Sequence, residues 1–212
     1  MPGRKRNSTR WLLLSALERL AALCMLAALA PLMLMVAVST AVLSRTSPLI
    51  AHRRLGLGGR PLGVLKFRTM GRRGARPAGR FALVEYIVDE RGPREKRVRD
   101  RRICSRFARF CRRHSIDELP QLLHVVRGEM SLVGPRPVTD FEWKLYYRRH
   151  AAEVLEVKPG LSGLWQTKGR GRLTYEQRRD LDLALARNRS LKLYFQILLW
   201  TLPEIWSGRN AW

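Results

Sequence analysis

The order of apolar and polar positions divides the chain into one long apolar segment and a mixed remainder. Leu20 to Leu43 runs for 24 residues without a charged side chain. A helix of this length rises about 36 Å, which is enough to cross the hydrocarbon core of a bilayer. A secretory signal peptide would have a shorter apolar core and a small-residue cleavage site, so the pattern favours a retained membrane segment.

A proline and two basic flanks suggest how this segment meets the membrane. Pro31 lies near its middle, where a proline kinks a helix. Arg10 and Arg19 precede the bend, and Arg45 and Arg53 follow it. A single crossing would carry one basic flank across the membrane, against the positive-inside rule. We therefore predict a re-entrant helical hairpin bent at Pro31, with a kinked spanning helix as the alternative.

Next along the chain, the pattern changes to a short β-hairpin. Gly58 and Gly59 form a turn signal, and the alternation around Phe67 predicts a strand or hairpin arm. On that strand Lys66 and Arg68 would share one face. They could contact an anionic ligand, or they could form only a solvated basic edge that discourages aggregation.

Residues 71–102 are rich in arginine and glycine and predict a long surface excursion with little structure of its own. Its apolar island is Phe81 to Val88. Later, a short apolar run that ends at Gly128 supplies candidates for the core. These candidates are Leu122, Leu123, Val125 and Val126.

Two amphipathic helices are predicted in the second half of the chain. In the first, apolar residues recur at helical spacing and arginines fill the other side. The second, Leu191 to Trp206, gathers leucines and aromatic residues near the C-terminus. Each could lie in a membrane interface or pack on the domain's own core. The apolar positions of the first helix are Ile103, Phe107, Phe110 and Cys111.

Charge and cysteine content narrow the possible partners. The 212 residues allow one domain with a core and an added membrane element. The 41 lysines and arginines against 17 acidic residues give a formal charge of +24, which predicts a polyanionic partner such as an anionic leaflet, a phosphorylated substrate or nucleic acid. Cys104 and Cys111 would lie about 10 Å apart on a helix, too far to form a disulfide, so a reducing cytoplasmic setting is expected.

The candidate chemistry lies in Ser115 to Gln121 and in Met130 to Pro137. Asp117 and Glu118 stand side by side next to a proline and among many arginines, and a rigid Pro-Arg-Pro turn follows. This arrangement indicates chemistry on anionic phosphates. The structural alternative is a capping box between Ser115 and Glu118, with both acids in a first helical turn. The sequence contains no zinc spacing and no Walker or Rossmann glycine pattern.

Taken together, these stretches resemble the bacterial sugar transferases, the monotopic phosphoglycosyl transferases that move a phosphosugar from a UDP-sugar to undecaprenyl phosphate. The similarity runs in order from about Trp11 to Gly208. Any one motif is weak, but five in this order after an apolar segment with basic flanks are specific. The five motifs are Arg54-Leu55-Gly56, Lys66 to Met70, Ser115 to Gln121, Met130 to Pro137 and Lys158 to Gln166.

The resemblance implies an α+β, mainly helical fold. Residues 1–46 would form a basic N-terminus and the re-entrant membrane helix, and residues 47–212 a small cytoplasmic catalytic domain with interfacial amphipathic helices. The protein would lie at the bacterial inner membrane, with its catalytic domain on the cytoplasmic face. It would transfer a sugar-1-phosphate to undecaprenyl phosphate and release UMP through a covalent aspartyl-phosphosugar intermediate, the first membrane step of exopolysaccharide, capsule, O-antigen or glycoprotein glycan assembly.

The resemblance also assigns roles by position. Asp117 would be the nucleophile, and Glu118 would take part in catalysis and hold Mg²⁺. Pro31 would bend the membrane segment, although Ala30 stands where the family often has a serine. The residues that would bind substrate phosphates are Lys66, Arg68, Arg112, Pro135, Arg136, Pro137 and Gln166.

The expected partners are a UDP-sugar, undecaprenyl phosphate and anionic membrane lipids; a homodimer is left open and no nucleic acid is expected. The alternative function is a membrane-tethered basic binding protein for anionic lipid or nucleic acid, in which the two acids only cap a helix. That alternative leaves the acids, the Lys-Phe-Arg motif and the Pro-Arg-Pro turn unexplained. A catalytically inactive relative is a further alternative, and no motif indicates which UDP-sugar is used.

Overall fold

A computed structural model of the chain describes residues 9–70, 84–87, 103, 105–147, 152–169 and 173–207. It shows a long N-terminal helix packed on a small domain of short helices and two small β-sheets. The predicted fold class is confirmed in its coarse form, since the protein is mainly helical with a little β-structure. Most of the predicted surface excursion lies outside the described residues, as does Cys104.

The apolar segment forms α1, which runs from Thr9 to Ser44 as one helix of 36 residues. It begins earlier than the uncharged stretch, and Pro31 lies inside it. Among the described residues, it is the one helix that is long and apolar enough to cross a membrane. The structure does not show the reversal of direction that a hairpin at Pro31 requires, so the re-entrant hairpin stays a prediction.

Helix α1 packs along the domain through a few positions and leaves most of its apolar surface exposed. Leu14, Ala22 and Val36 are buried, and each belongs to a different apolar cluster of the domain. Leu34 and Val42, in contrast, are 67% and 68% exposed. An apolar surface of this size needs an apolar environment, so the packing agrees with membrane association.

The first sheet contains the predicted hairpin. Strand β1 (Leu49–Leu55) pairs antiparallel with β2 (Pro61–Phe67). The two strands are joined through Gly58 and Gly59, whose φ angles of 67° and 76° suit glycine and confirm the predicted turn. Strand β3 (Val84–Ile87) pairs parallel with β1, so the apolar island of the predicted excursion adds a strand to the sheet.

The second sheet brings two motifs together. It pairs β4 (Ser131–Val133) in parallel with β5 (Gly160–Ser162). A Cβ atom added to Gly160 would meet the Gly134 nitrogen at 2.0 Å, and one added to Gly134 would lie 2.4 Å from the Lys158 carbonyl oxygen. The two backbones can therefore approach this closely only because both positions are glycine.

The helices are short apart from α1, α7 and α8. A 3₁₀-helix over Ile116–Gln121 carries the two adjacent acids, and a π-helical turn covers Trp143–Tyr147. The remaining helices are α2 (Arg106–Arg113), α3 (Leu122–Val126), α4 (Asp140–Glu142), α5 (Ala152–Leu155), α6 (Leu164–Thr167), α7 (Tyr175–Arg187) and α8 (Leu191–Ser207).

Both predicted amphipathic helices bury one side and expose apolar residues on the other. In α2, Cys111 packs in the cluster of Val36, whereas Phe110 is exposed. In α8, Ile197 is fully buried and Trp206 is 88% exposed. The two predicted alternatives, packing on the core and lying in a membrane interface, are therefore compatible. Each helix docks on the core and still presents apolar surface that suits a membrane interface.

A buried acid joins α1 to the domain. Glu18 is only 6% exposed. Its Oε1 accepts a 2.9 Å hydrogen bond from the Leu132 N–H, a 2.6 Å bond from the Tyr194 hydroxyl, and a bond from the Ser131 hydroxyl. A buried carboxylate is costly unless donors replace its water. These three donors, from β4 and α8, therefore set the register at which α1 lies on the domain.

We expect Glu18→Leu to destabilise the folded protein by roughly 2 to 5 kcal/mol, because three buried donors lose their acceptor. Glu18→Gln keeps one acceptor oxygen and should cost less. Thermal unfolding in detergent micelles measures both. Tyr194→Phe removes the hydroxyl that donates to Glu18, so by itself it should lower the melting temperature. In a protein that already carries Glu18→Leu, the same change should have little further effect, because the shared contact is already lost. Equal melting temperatures for wild type and Glu18→Leu would contradict the role of this contact.

Candidate functional site

All five sequence motifs meet at one open cleft. The cleft has a volume of about 310 Å³, counting the space at its mouth. It lies where the β1–β2 hairpin, the 3₁₀-helix, the Pro-Arg-Pro turn and the start of β5 come together. Its lining residues are Arg54, Val64, Lys66, Glu118, Gln121, Arg136, Pro137, Gly160, Leu161 and Gln166.

An ion pair lies on the wall of the cleft. The Nζ atom of Lys66, on β2, is 2.6 Å from Oε1 of Glu118, on the 3₁₀-helix. Both side chains are about four-fifths buried, so water screens this pair less than it would a surface pair. The pair fixes the direction of the Glu118 carboxylate and brings the Lys-Phe-Arg motif to the acidic motif.

The neighbouring acid has a different environment. Asp117 is 6% exposed, and Glu118, but not Asp117, is among the cleft-lining residues. Burial and, to a lesser extent, the negative charge of Asp117 raise the pKa of the Cys111 thiol to about 11. The Asp117 carboxylate is therefore close enough to α2 to affect the Cys111 thiol, and it also lies next to the cleft.

The capping-box interpretation of Ser115 is wrong. An N-cap residue has an extended backbone, whereas Ser115 is left-handed with a φ of 58° and its side chain does not cap the 3₁₀-helix. Its carbonyl oxygen instead accepts the Glu118 N–H at 3.0 Å. The left-handed residue turns the chain after α2 and so directs the two acids. Capping boxes occur elsewhere, at Thr139 with Glu142 and at Thr174 with Gln177.

Two predicted phosphate-binding arginines lie apart from the cleft lining. Arg68 is buried and follows the end of β2, where its Nε donates a 2.8 Å hydrogen bond to the Ser47 carbonyl oxygen. Arg112, on α2, is half-buried, and its Nη1 lies 3.4 Å from Oγ1 of Thr69. The cleft lining does include Lys66, Arg136, Pro137 and Gln166, and Pro135 is fully buried beside them.

A histidine that the sequence analysis did not select reports the electrostatics of the site. His52 shares the cleft face of the hairpin, since it pairs with Val64 and is two residues from Arg54. Burial and, to a lesser extent, the charges of Arg54, Lys66, Arg136 and Arg112 lower its pKa to about 3. Within the described part of the chain its Nδ1 has no hydrogen-bond partner. The imidazole is therefore neutral in a strongly positive environment.

A buried acid holds the Pro-Arg-Pro turn from below. Asp182, on α7, is fully buried; its Oδ1 accepts the Arg136 N–H at 3.2 Å, and its Oδ2 accepts the Tyr147 hydroxyl at 2.8 Å. With a proline on each side, the Arg136 backbone has little freedom left, so its guanidinium is presented to the cleft with little entropy to lose. Asp182 was not among the site residues predicted from the sequence. The available signal was an acid between Leu181 and Leu183 on the apolar face of α7.

The donor atoms at the cleft fit Mg²⁺. Among the residues that the structure describes, no three His, Cys, Asp or Glu side chains form a ready-made metal cage. However, Glu118 faces the cleft, and Gln166 offers a buried Oε1 that has no partner within the described residues. Magnesium commonly takes one or two carboxylates and completes its shell with phosphate oxygens and water. These hard oxygen donors therefore suit an ion that arrives with a diphosphate.

Comparison with known proteins identifies what the chain resembles. The sequence profile described as "Bacterial sugar transferase" matches residues 9–208. An exopolysaccharide production protein, ExoY, from Sinorhizobium fredii is 37% identical over 91% of this chain and 85% of its own length. A UDP-glucose:undecaprenyl-phosphate glucose-1-phosphate transferase from Caulobacter vibrioides is 37% identical over 92% of this chain and 70% of its own. An undecaprenyl-phosphate galactose phosphotransferase from Salmonella typhimurium is 33% identical over 66% of this chain and 29% of its own.

We expect the stability of the protein to depend on the titration of Asp182. Burial raises the pKa of Asp182 from 3.8 to about 7, against the hydrogen bonds from Tyr147 and Arg136, which lower it. The folded protein thus keeps a proton that the unfolded chain releases. This contribution to the free energy of unfolding is complete below pH 3.8 and is lost as the pH rises through about 7.

Asp182→Asn removes this titration. The stability of the wild type relative to Asp182→Asn should therefore fall by on the order of a few kcal/mol between pH 4 and pH 8. Thermal unfolding of both proteins in the same detergent and salt measures the difference. A difference that does not change with pH would show that Asp182 does not titrate in this range.

Proposed function

Since the chain belongs to the family of bacterial sugar transferases, we propose that it transfers a sugar-1-phosphate from a UDP-sugar to undecaprenyl phosphate and releases UMP. It is a phosphoglycosyl transferase by its relatives. We assign this reaction to the cleft because the five motifs meet there. The Lys66–Glu118 pair lies on its wall, and Arg54 and Arg136 also line it.

The charge of the cleft suits this reaction. The donor diphosphate and the lipid phosphate are both anionic, so a carboxylate that approaches them is repelled unless cations offset the charge. Lys66, Arg54 and Arg136 supply such charges from fixed positions. Burial first, and then the same positive charges, lower the pKa of His52 and keep it neutral. Preorganised cations of this kind stabilise a developing negative charge without rearrangement during the reaction.

We propose a two-step route with Asp117 as the nucleophile. A carboxylate oxygen of Asp117 forms a bond to the phosphorus that carries the sugar, and the bond from that phosphorus to the bridging oxygen breaks, so that UMP leaves. An oxygen of undecaprenyl phosphate then attacks the same phosphorus and the bond to Asp117 breaks. This route lets a soluble donor and a lipid acceptor use one cleft in turn.

Glu118 and Gln166 would hold the magnesium ion in this scheme. When bound, the ion supplies charge neutralisation on the diphosphate and assists the departure of UMP. Lys66 would direct the Glu118 carboxylate toward the cleft through its contact with Oε1. Arg136 would bind phosphate oxygens with its planar guanidinium.

The remaining predicted phosphate ligands have supporting roles in this proposal. Arg68 would hold the start of the hairpin through the Ser47 carbonyl, and Arg112 would act near Asp117 from α2. Pro135 and Pro137 would keep the Arg136 turn rigid. The names of the ExoY relatives favour a place in exopolysaccharide assembly.

We also propose that α1 is re-entrant and that the cleft faces the cytoplasm at the bacterial inner membrane. The exposed apolar residues of α1 and α8 support contact with the bilayer, and the exposed arginines of α2 suit anionic headgroups. A lipid acceptor requires the cleft to lie near the membrane surface. The alternative of a tethered lipid- or nucleic-acid-binding protein has no support from the relatives, whose names include phosphosugar transferases.

We expect cysteine labels at position 6 and at position 46 to react only from the cytoplasm, because a hairpin keeps both flanks of α1 on one side. The native cysteines are first replaced by serine, and a membrane-impermeant thiol reagent is added to spheroplasts and to inverted vesicles. Pro31→Leu should remove the bend and move the label at position 6 to the far side. A periplasmic label in the protein with Pro31 intact would replace the hairpin with a spanning helix.

A test of the two acids separates their roles. With UDP-sugar and magnesium but no lipid, the wild type should release UMP and gain the mass of a phosphosugar, and undecaprenyl phosphate should then remove that mass. Asp117→Asn should abolish both half-reactions, since an amide cannot replace the attacking carboxylate. Glu118→Gln should retain a weak adduct with a raised magnesium requirement. Intact-mass spectrometry after rapid quench measures each species.

Asp140→Asn is the matched control, because Asp140 is an exposed acid paired with Arg53 outside the cleft lining. It should behave as the wild type. An adduct that survives in Asp117→Asn and disappears in Glu118→Gln would move the nucleophile to Glu118. UMP release only in the presence of lipid, without any adduct, would replace the covalent route by direct transfer.

A further inference from the structure

Two arginines share one buried indole beside the cleft. Trp165, on α6, is 2% exposed. The Cζ atom of Arg136 lies 5.1 Å from the centroid of its ring, and the Cζ atom of Arg178 lies 5.0 Å from it. Arg136 lines the cleft, whereas Arg178 is not among the cleft-lining residues. The five motifs do not include Arg178.

Arg178 is held by aromatic rings. Besides the contact with Trp165, its Cζ lies 5.0 Å from the centroid of the Tyr175 ring. Tyr175 in turn stacks on Tyr146, with centroids 4.8 Å apart and an interplanar angle of 14°. Aromatic contacts with a guanidinium occupy its faces and leave its N–H donors in the plane. The donors of Arg178 are therefore available to an acceptor that meets the plane edge-on, as phosphate oxygens do.

Helix α7 places this side chain with respect to the Pro-Arg-Pro turn. Its start is set by the capping box of Thr174 and Gln177. Arg178 precedes Asp182 by four residues, so the two lie on the same side of the helix. Asp182 binds the Arg136 backbone N–H, while Arg178 stands over the ring that Arg136 also contacts. One helix thus fixes the backbone of the first arginine and supplies the second.

The two arginines differ from the other cations of the cleft in their charge balance. Arg54 pairs with Glu142, and Lys66 pairs with Glu118. Within the described ranges, neither Arg136 nor Arg178 forms an ion pair with a carboxylate, and the buried Nε of Arg178 has no hydrogen-bond partner. Burial lowers the pKa of Arg178, and the charge of Arg136 lowers it further. Two partly buried positive charges that contact the same ring are best stabilised by an anion that reaches both.

We propose that Arg178 and Arg136, stacked on Trp165, bind the diphosphate of the UDP-sugar donor as a two-arginine clamp. This inference rests on the proposed function, because it names a residue that recognises the donor in the same cleft. A diphosphate carries acceptor oxygens on two phosphorus atoms, so one such group can meet both guanidiniums. Gln166 follows Trp165 and lines the cleft, which places the clamp next to the proposed magnesium ligands.

The experiment measures binding of UDP and of uridine to the full chain in detergent micelles with magnesium, by isothermal titration calorimetry. Arg178→Gln should weaken UDP binding by roughly tenfold to a hundredfold, the effect of one lost charge-assisted contact. Arg178→Lys keeps the charge but loses the planar fork, so its affinity for UDP should lie between those of the wild type and Arg178→Gln. Uridine, which has no phosphate, should bind wild type and Arg178→Gln equally. Arg187→Gln is the matched control, since Arg187 lies on the same helix but is exposed and paired with Glu153.

Steady-state kinetics gives a second readout that a merely structural role would not produce. In Arg178→Lys, the KM for the UDP-sugar should rise while the KM for undecaprenyl phosphate stays near the wild-type value. Equal losses for uridine and UDP, or a rise in the acceptor KM alone, would overturn the clamp. UDP affinity in Arg178→Gln that equals that of Arg187→Gln would overturn it too. A wild type that neither binds UDP nor releases UMP overturns the proposed function itself, whereas an active wild type with unaffected Arg178 variants overturns only this inference.

Discussion

Repulsion among the cations of the cleft is the constraint on which the rest of the structure depends. Lys66 and Arg54 face a half-buried space in which each charge disfavours the others, and burial together with these charges keeps His52 neutral there. A fold can hold such a cluster only if acids are placed to oppose it. Glu118 pairs with Lys66 and Glu142 pairs with Arg54, each from a distant part of the sequence. The cleft is therefore a partly compensated positive site, ready for an anionic substrate.

Two other buried acids act on the backbone around that site. Asp182 binds the Arg136 N–H, and Glu18 binds the Leu132 N–H four residues earlier in the chain. Between them lies Gly134, whose backbone contacts that of Gly160 more closely than any side chain would allow. The membrane helix, the second sheet and the Pro-Arg-Pro turn thus form one continuous set of contacts. This continuity fixes the position of the cleft relative to α1.

The sequence predicted which motifs form the site better than it predicted how their side chains are arranged. The order of the five motifs indicated a shared site, and every motif contributes to the cleft lining. The predicted capping box at Ser115 was wrong, because this residue has a left-handed backbone conformation that its spacing to Glu118 does not reveal. Arg68 was expected on the face of Lys66, but β2 ends at Phe67 and Arg68 instead binds the Ser47 carbonyl. The local sequence pattern predicts the strand, but the position at which the strand ends determines the direction of the side chain that follows it.

By itself, the sequence determined the apolar helix, the hairpin turn at Gly58 and Gly59, and the phosphate-directed chemistry. These features follow from local periodicity, from conformational preferences and from charge, all of which can be read within a few residues. The tertiary structure alone decided the contacts of Glu18, Asp182 and Arg178. Each of these residues looks like an ordinary helical residue in the sequence. Glu18 and Asp182 are buried and bound by partners more than 30 residues away, and Arg178 stacks on Trp165 of another helix, so their surroundings are properties of the folded chain.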